Sequence, residues 1–305
     1  MESQSNKLNK NIKDLFKILF LFSLVIIVYI FKNDISFFIT EKIVYKESNK
    51  VLSYNEYYQD YDYAYVQNID SNQANNYQEL VNIIYTTINS GDSSFTLYCN
   101  YDNCKNDVKT IISSGNDTIT NINNFVHPYN SFANINIDLT MSGKVTISIN
   151  KLYNSEMIEY INNYIDKFIK ENITNSMSTN DKIKVFHDHI INNTVYDDAN
   201  KERSSDAYEL LSTGKSICGG YSDTMSIYLT RLGIQNYKIS SDNHVWNLVK
   251  VDGQWLHLDS TWDDPVASDG NQYLLHNFFL IDTKTLLELD TVEHTFDRNV
   301  YKEAN

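Results

Sequence analysis

Cysteine is scarce in this chain, with three among 305 residues: Cys99 and Cys104 lie close together, and Cys218 stands alone. A single C-x4-C spacing without a second pair or nearby histidines is weak evidence for zinc, so we predict no metal and no cofactor. Outside the cytoplasm Cys99 and Cys104 could form a disulfide, which leaves Cys218 as an odd thiol and a candidate reactive group. The alternative is that all three are small buried residues.

Positive charge is also in short supply. The chain has 25 lysines and arginines against 39 acidic residues, a formal net charge of −14, yet residues 1–32 hold five lysines against two acids. The remainder is therefore strongly acidic and would repel a phosphate backbone, which argues against nucleic acid as a partner. The acidity is typical of a soluble surface, with a preference for basic substrates as the alternative. Hydrophobic residues at 42% and aromatics at 13% indicate a folded chain with one or two domains.

One long apolar run occurs near the N-terminus. Residues 18–31 are apolar apart from one serine, and counting from residue 15 gives a run of 17, near the lower limit of a membrane span. The lysines before the run predict a cytoplasmic segment 1–14, a transmembrane signal anchor over 15–31 and an extracellular remainder, on a single-pass protein of the cell membrane. The lack of a small-x-small site argues against a cleaved signal peptide, and the lack of a nearby cysteine against a lipoprotein anchor. A buried core helix is the remaining alternative.

The pattern of the chain changes twice beyond this run. Residues 32–75 are polar and rich in tyrosine, asparagine and aspartate without clear periodicity, which is typical of a linker. Residues 76–175 combine helical spacing with the strand-like alternation of SFTLYCNY, ANINIDLTM and GKVTISIN, which predicts a small α/β N-terminal domain. Residues 176–305 form the third predicted region.

A helix and a hairpin are predicted in this third region. The segment KSICGGYSDTMSIYLTRLGI has helical periodicity that begins near Cys218 and ends at Gly233. Two alternating segments follow, HVWNLVKV and QWLHLDST, joined by Asp252 and Gly253. An Asp-Gly dipeptide between alternating hydrophobic segments predicts a β-hairpin with a two-residue loop.

The register of this hairpin brings His244 and Asp259 to one face. With a two-residue loop Trp246 lies opposite Asp259, and His244 shares the face of Trp246 because side chains alternate along a strand. His244 and Asp259 are then diagonal neighbours, within reach of a hydrogen bond between carboxylate and imidazole. A loop of odd length would shift the register and separate them.

Cys218, His244 and Asp259 together predict a thiol acyl-transfer site. A helix N-terminus has partial positive charge and free N–H groups, which stabilise a thiolate and can bind an oxyanion. An imidazole beside the thiol and an acid that orients the imidazole complete the set. Taken singly, each residue has a structural interpretation as a packed side chain. The order of helix start, strand and adjacent strand favours catalysis.

Three segments resemble the transglutaminase-like superfamily. GKSICGGYSDTMSIYLTRLGI resembles its nucleophile helix with a Cys-x-Gly-Tyr core, and HVWNLVKVDGQWLHLDSTWDDP resembles its histidine strand, hairpin and aspartate strand. Upstream, FHDHIINNTVYDD resembles the segment that precedes the nucleophile in bacterial members. The resemblance covers the chain from residue 180 to residue 285, and the first 150 residues show no such match.

The resemblance implies a role for each site residue: Cys218 as nucleophile, His244 as general base and acid, and Asp259 as the residue that orients His244. It also implies a papain-like α+β fold, with the nucleophile helix packed on an antiparallel sheet that carries the histidine and the aspartate. Tyr196 is a candidate oxyanion donor, since an aromatic hydroxyl can donate there. The other polar and aromatic residues near the motifs are expected to be structural, surface or cleft-wall groups: His187, His189, His257, Asp263, Trp246, Trp255 and Trp262.

The expected function is that of a cell-surface thiol acyl-transfer enzyme acting on protein or peptide amides, with cell-wall peptides among the substrates considered. An amine that resolves the thioester gives a cross-linking transglutaminase, whereas water gives a cysteine protease or amidase, and both stay open. A non-catalytic protein-binding module is a further alternative. Peptide N-glycanase is disfavoured because paired C-x-x-C motifs are lacking, and arylamine N-acetyltransferase is disfavoured by the expected anchor.

Overall fold

The computed structural model describes residues 2–32, 52–141, 143–197, 206–265 and 273–304, with side chains from residue 13 onward. The chain forms two compact units, Met1–Val51 and Leu52–Asn305. Each is described by itself below.

Helix α1 (Glu2–Ile30) is the described element of the first unit. The transmembrane anchor expected over 15–31 falls on this helix. Across the part of the chain that the structure describes, no helix is long and apolar enough to cross a membrane. The expectation of a membrane span is therefore not met by the described helices.

The second unit is built from helices and strands in a mixed order. The helices are α2 (Tyr77–Ser90), α3 (Cys104–Ile111), α4 (Thr118–Asn124), α5 (Ser155–Asn172), α6 (Thr179–Asn193), α7 (Ala207–Thr213), α8 (Cys218–Arg231) and α9 (Thr283–Leu289). The strands are β1 (Gln73–Ala74), β2 (Ser94–Cys99), β3 (Phe132–Leu139), β4 (Lys144–Lys151), β5 (Val195–Tyr196), β6 (Lys215–Ser216), β7 (Asn236–Ser240), β8 (Val245–Val251), β9 (Gln254–Leu258) and β10 (Phe279–Ile281).

A four-stranded sheet in the order β1-β2-β4-β3 lies in the first half of this unit. Its strands β2, β3 and β4 confirm the period-2 segments predicted from the sequence. Helix α2 also confirms its prediction, and its ends follow from local chemistry. The side chain of Asn76 accepts a hydrogen bond from the backbone N–H of Glu79 at the start, and Gly91 adopts a left-handed φ of 85° at the end.

A second four-stranded sheet, in the order β10-β9-β8-β7, carries the predicted hairpin. Strands β8 and β9 pair antiparallel with Val251 opposite Gln254 and Asn247 opposite Leu258, which is the predicted register. Asp252 has a φ of 50° and Gly253 a φ of 82°. A tight two-residue turn requires positive φ at both positions, and glycine and aspartate tolerate it well. The turn chemistry therefore sets the register on which the site depends.

Helix α8 packs against this sheet, along strands β7 and β8. Almost all of its length is buried, from Gly220 to Leu229. Its residues Tyr221, Met225 and Tyr228 join a hydrophobic core with residues of α5 and α6. The observed architecture is a mixed α and β fold in which a buried helix lies on an antiparallel sheet, as the sequence predicts.

The N-terminal part of the second unit differs from the expected linker and separate domain. Residues 52–75 belong to the compact unit, and Tyr63, only 2% exposed, packs with Phe125, Tyr237 and Trp255. One hydrophobic cluster also joins residues on both sides of the predicted boundary at 175–176. The sequence missed this because the aromatic side chains are buried by distant segments and carry no helical or strand period.

Candidate thiol site

Cys218 is the first residue of helix α8 and is partly exposed. Strand β6 ends at Ser216, so the chain turns directly from a strand into the helix. A side chain at Gly220 would place its Cβ 1.9 Å from Ser216 Oγ and 2.8 Å from the backbone oxygen of Asp206, so only glycine fits here. The N–H of Gly220 donates to the backbone oxygen of Ile217 at 3.0 Å. The N–H groups at the very start of a helix precede any intrahelical acceptor, and they place partial positive charge at the Cys218 position.

Two buried polar contacts hold α8 on the sheet. Asn247 on β8 donates hydrogen bonds of 2.9 Å each to the backbone oxygen of Ser222 and to Ser226 Oγ. Lys238 on β7 lies 2.6 Å from Asp223, and both side chains are nearly fully buried. Asn247 stands three residues after His244, and Ser222 lies one turn after Cys218. The same contacts therefore fix the helix start relative to the histidine strand.

His244 immediately precedes β8 and Asp259 immediately follows β9. Their side chains meet as the register predicts, with His244 Nε2 2.5 Å from Asp259 Oδ2. Both groups are buried, at 6% and 1% exposure. The ring of Trp246 stacks on His244 with centroids 5.5 Å apart. This packing leaves the imidazole little freedom to rotate.

The Asp259 carboxylate is held from four directions. Its Oδ1 accepts the backbone N–H groups of Thr261 at 2.9 Å and Trp262 at 3.1 Å, which explains the tight turn that follows the strand. Its Oδ2 accepts hydrogen bonds from His244 and from a second histidine, His294, at 2.9 Å. An acceptor fixed in this way can orient His244 in turn.

The electrostatics of the site favour a protonated His244. Burial lowers the pKa of His244, but the Asp259 carboxylate and the neighbouring Cys218 together outweigh burial and raise the pKa from 6.5 to about 10. Burial raises the pKa of Asp259, yet its hydrogen bonds and its attraction to His244 and His294 hold that pKa well below the usual range. Because Nε2 is taken by Asp259, Nδ1 is the ring nitrogen left to face Cys218. An imidazolium at that position stabilises a thiolate.

Tyr196, the candidate oxyanion donor, lies on the two-residue strand β5 opposite Ser216 of β6. Strand β6 leads into Cys218, so Tyr196 is brought to the chain segment just before this cysteine. Its side chain is half-buried and packs against the cluster that includes the core of α8.

Cys99 and Cys104 are joined by a disulfide between β2 and the start of α3. This pair lies in the N-terminal half of the unit, and Cys218 is the free cysteine of the chain.

The histidines expected to be structural are mostly buried in polar pairs. His257 accepts a hydrogen bond of 2.9 Å from Trp246 Nε1, and burial, with a smaller effect of His294, lowers its pKa to about 3. His187 lies between Asp188, at 3.0 Å, and Asp263, at 3.2 Å. His189 is half-buried.

Two clusters of side chains could gather round an ion among the described residues: His187, Asp188 and His276, and His244, Asp259 and His294. In the first, Lys184 Nζ already lies 2.5 Å from Asp188 and 2.8 Å from His276, so an ammonium group occupies the place of a cation. In the second cluster, His244 Nε2 and Asp259 Oδ2 are 2.5 Å apart, which is the distance of a direct hydrogen bond. Two ligand atoms of one zinc ion would lie about 3.3 Å apart. Both clusters are hydrogen-bonded sets.

His294 and Asn247 are the site residues that the sequence did not reveal. His294 follows α9 and is fully buried, yet it lies 35 residues from its partner Asp259. No spacing rule connects it to the hairpin. Asn247 is a polar residue inside the strand pattern HVWNLVKV, and that interruption of an apolar strand is a signal that could have identified it.

Comparisons with known proteins give matches to a family model and to solved structures. Residues 166–260 match the family model described as the transglutaminase-like superfamily. Among solved structures, one described as a TGase shares 17% identity and a TM-score of 0.33, covering 55% of this chain and 51% of its own. A proposed cysteine protease from Cytophaga hutchinsonii shares 11% identity and a TM-score of 0.29, covering 47% of this chain and 65% of its own. The chain thus spans less than two thirds of either structure.

No curated protein matches the chain. The matched segment 166–260 includes Cys218, His244 and Asp259. It also contains helix α8 and the hairpin described above. Over residues 166–260 the chain is therefore similar to the transglutaminase-like superfamily.

Proposed function

We propose that the protein is a thiol acyl-transfer enzyme of the transglutaminase-like type, with a papain-like core, that acts on protein or peptide amides. One observation carries the proposal: Asp259 holds one ring nitrogen of His244 at 2.5 Å, and Cys218, at a helix start, is close enough to help raise the pKa of the same imidazole. A buried acid, an imidazole and a partly exposed thiol in this order are the parts that nucleophilic catalysis needs.

The reaction follows from these groups. The Cys218 thiolate attacks the amide carbonyl and forms an S–C bond, and the resulting oxyanion is bound by the N–H groups at the start of α8. His244 gives its proton to the amide nitrogen, the C–N bond breaks, and the amine leaves a thioester on Cys218. His244, now neutral, takes a proton from the incoming nucleophile as that nucleophile attacks the thioester, and the S–C bond breaks to restore the Cys218 thiolate beside the imidazolium. Asp259 keeps the imidazole oriented through both steps. Tyr196 is the proposed additional donor to the oxyanion.

The incoming nucleophile decides the product. A primary amine gives a new amide and a cross-linking transglutaminase, and water gives a cysteine protease or amidase. A non-catalytic binding module with this fold is the rival outside enzymology. The low exposure and full hydrogen bonding of His244 and Asp259 favour catalysis, since a binding module has no need for a charged pair in its interior.

We also propose that the site works outside the cytoplasm. The disulfide between Cys99 and Cys104 supports this location, because such bonds persist in oxidising compartments. Surface proteins and cell-wall peptides are then the substrates within reach.

The test uses the full chain with a glutamine-containing protein and a labelled primary amine. Cys218→Ala and His244→Ala are compared with His276→Ala, a matched histidine change outside the site. Label incorporation that depends on Cys218 and His244 supports a transglutaminase, and cleavage without incorporation supports a protease. If neither product forms and iodoacetamide does not alkylate Cys218 selectively near neutral pH, the proposal is overturned in favour of a binding module.

A further inference from the structure

A second histidine shares the carboxylate that orients His244. Asp259 Oδ2 accepts hydrogen bonds from His244 Nε2 at 2.5 Å and from His294 Nε2 at 2.9 Å. His294 has no exposed surface, and its ring stacks on Phe278 with centroids 5.1 Å apart. The ring also packs edge-on against Trp262. The thiol site therefore extends one residue beyond the three that the sequence indicates.

The other ring nitrogen of His294 faces a second carboxylate. Its Nδ1 lies 2.9 Å from Asp290 Oδ2, and the same oxygen accepts the backbone N–H groups of Glu293 at 2.8 Å and of His294 at 3.1 Å. Burial raises the pKa of Asp290, but these hydrogen bonds outweigh burial and hold the pKa below its usual range. Asp259 and Asp290 are thus both ionised, and an ionised carboxylate can only accept.

This geometry decides the charge of His294. A neutral imidazole has a single N–H, so it could donate to one carboxylate and would point a lone pair at the other. Only the imidazolium donates to Asp259 and Asp290 together. The titratable groups that face it from the surrounding elements are His244, His257, Asp259 and Asp290. Of these, His257 is neutral and His244 is the other cation.

We propose that His294 is a positioning residue of the thiol site: as an imidazolium it fixes the Asp259 carboxylate toward His244 and offsets part of its negative charge. The proposal rests on the function proposed above. Asp259 then serves two cations at once, which limits how tightly it holds the proton on His244. A proton held too tightly could not pass to the leaving amine, so His294 keeps His244 usable as an acid.

The expected effect can be worked out from the ring separation. The centroids of His244 and His294 lie 5.4 Å apart. Removing a unit charge at that distance, at an effective dielectric constant of about 20 to 40, moves a pKa by about one to two units. Without the His294 charge, His244 holds its proton more firmly and the thiolate of Cys218 loses a nearby cation. The acid limb and the alkaline limb of the profile of reaction rate against pH therefore both move to higher pH.

The experiment measures the rate of Cys218 alkylation by iodoacetamide and kcat/KM for amide transfer or hydrolysis from pH 4 to 11 in the full chain. His294→Gln keeps an amide N–H donor for Asp259 but removes the charge. We expect its acid limb to rise by about one to two pH units, and its alkaline limb, which lies near pH 10 in the wild type, to move to the upper end of the measured range or beyond it. His276→Gln is the matched control, because it removes a histidine outside the site, and its limbs should stay in place.

Packing alone gives a different result. If His294 only fills space, His294→Gln lowers the rate or the stability and leaves both limbs within about 0.2 pH units, and this overturns the inference. Should His294→Gln fail to fold, Asp290→Asn is the second variant, because it removes one of the two carboxylates that stabilise the His294 imidazolium. It should move both limbs in the same direction by a smaller amount. Limbs that stay in place in this variant also overturn the inference. A wild-type chain without rapid Cys218 alkylation would instead count against the proposed function itself.

Discussion

Replacing Asp259 by asparagine is the sharpest test of the charge arrangement in the site. The change preserves the size of the side chain, and the amide oxygen can still accept the backbone N–H groups of Thr261 and Trp262. It removes the negative charge that His244 and His294 share, while His244 stays buried at 6% exposure. The variant therefore removes the charge at position 259 and keeps the hydrogen bonds that the side chain accepts in the turn.

The size of the effect follows from the proton on His244. With Asp259 ionised, the pKa of His244 is raised to about 10, so the imidazolium persists at pH 7.5 and is lost only as the pH rises through about 10. Without that charge, burial acts against the cation and the pKa falls toward or below 6.5. A thiol without an imidazolium beside it, with an ordinary pKa of about 8.5, is ionised to about one tenth at pH 7.5. The alkylation rate of Cys218 should therefore fall about tenfold, and kcat/KM by roughly 10²–10⁴ because acid catalysis is lost as well.

Stopped-flow alkylation with iodoacetamide at pH 7.5, followed by mass analysis of the Cys218 peptide, measures this directly. Asp252→Asn is the matched control, because Asp252 is exposed in the hairpin turn and asparagine tolerates its φ of 50°. A folded Asp259→Asn variant that alkylates at the wild-type rate, with an unchanged alkaline limb, would refute the ion-pair reasoning.

Two further predictions concern stability. Lys238→Met leaves the Asp223 carboxylate buried without its cation, with the hydrogen bond from Tyr153 remaining, so urea unfolding should show a loss of about 3 kcal/mol. Lys284→Met, in an exposed pair, should leave the free energy of unfolding nearly unchanged. Equal effects of the two variants would contradict the role given to the buried pair. Replacing Cys99 and Cys104 by serine opens a loop with a sequence separation of 5, which should lower the free energy of unfolding by about 2 kcal/mol, and an unchanged urea midpoint would argue against the disulfide in the folded protein.

The hairpin was predictable because its information is local. Asp252 and Gly253 select a two-residue turn, and that turn sets every pairing up to Asn247 and Leu258. The alternation of side chains then brings His244 and Asp259 to one face without reference to the rest of the molecule. The start of α8 at Cys218 was predictable for the same reason, since its periodicity begins there.

The distance between Cys218 and His244 is not local information. It depends on how α8 lies on the sheet, which is set by Asn247 and by the buried pair of Lys238 and Asp223. These contacts join residues 15 to 25 positions apart, and composition alone does not reveal which polar residues become partners once buried.

Residues 52–75 show the same limit on a larger scale. Their tyrosines carry no period, so they resemble a linker until segments far along the chain bury them, as Phe125 and Tyr237 bury Tyr63. Hydrophobic burial is non-directional, and it is rewarded only when tertiary contacts form.

The sequence by itself determined helix α8, the hairpin, its register and the meeting of His244 with Asp259, because turn geometry and side-chain alternation act over a few residues. Only the tertiary structure decided that the carboxylate of Asp259 is shared with His294 and that His294 is held in turn by Asp290. The physical reason is that the ionisation of a buried group depends on whichever charges folding brings within a few ångströms of it.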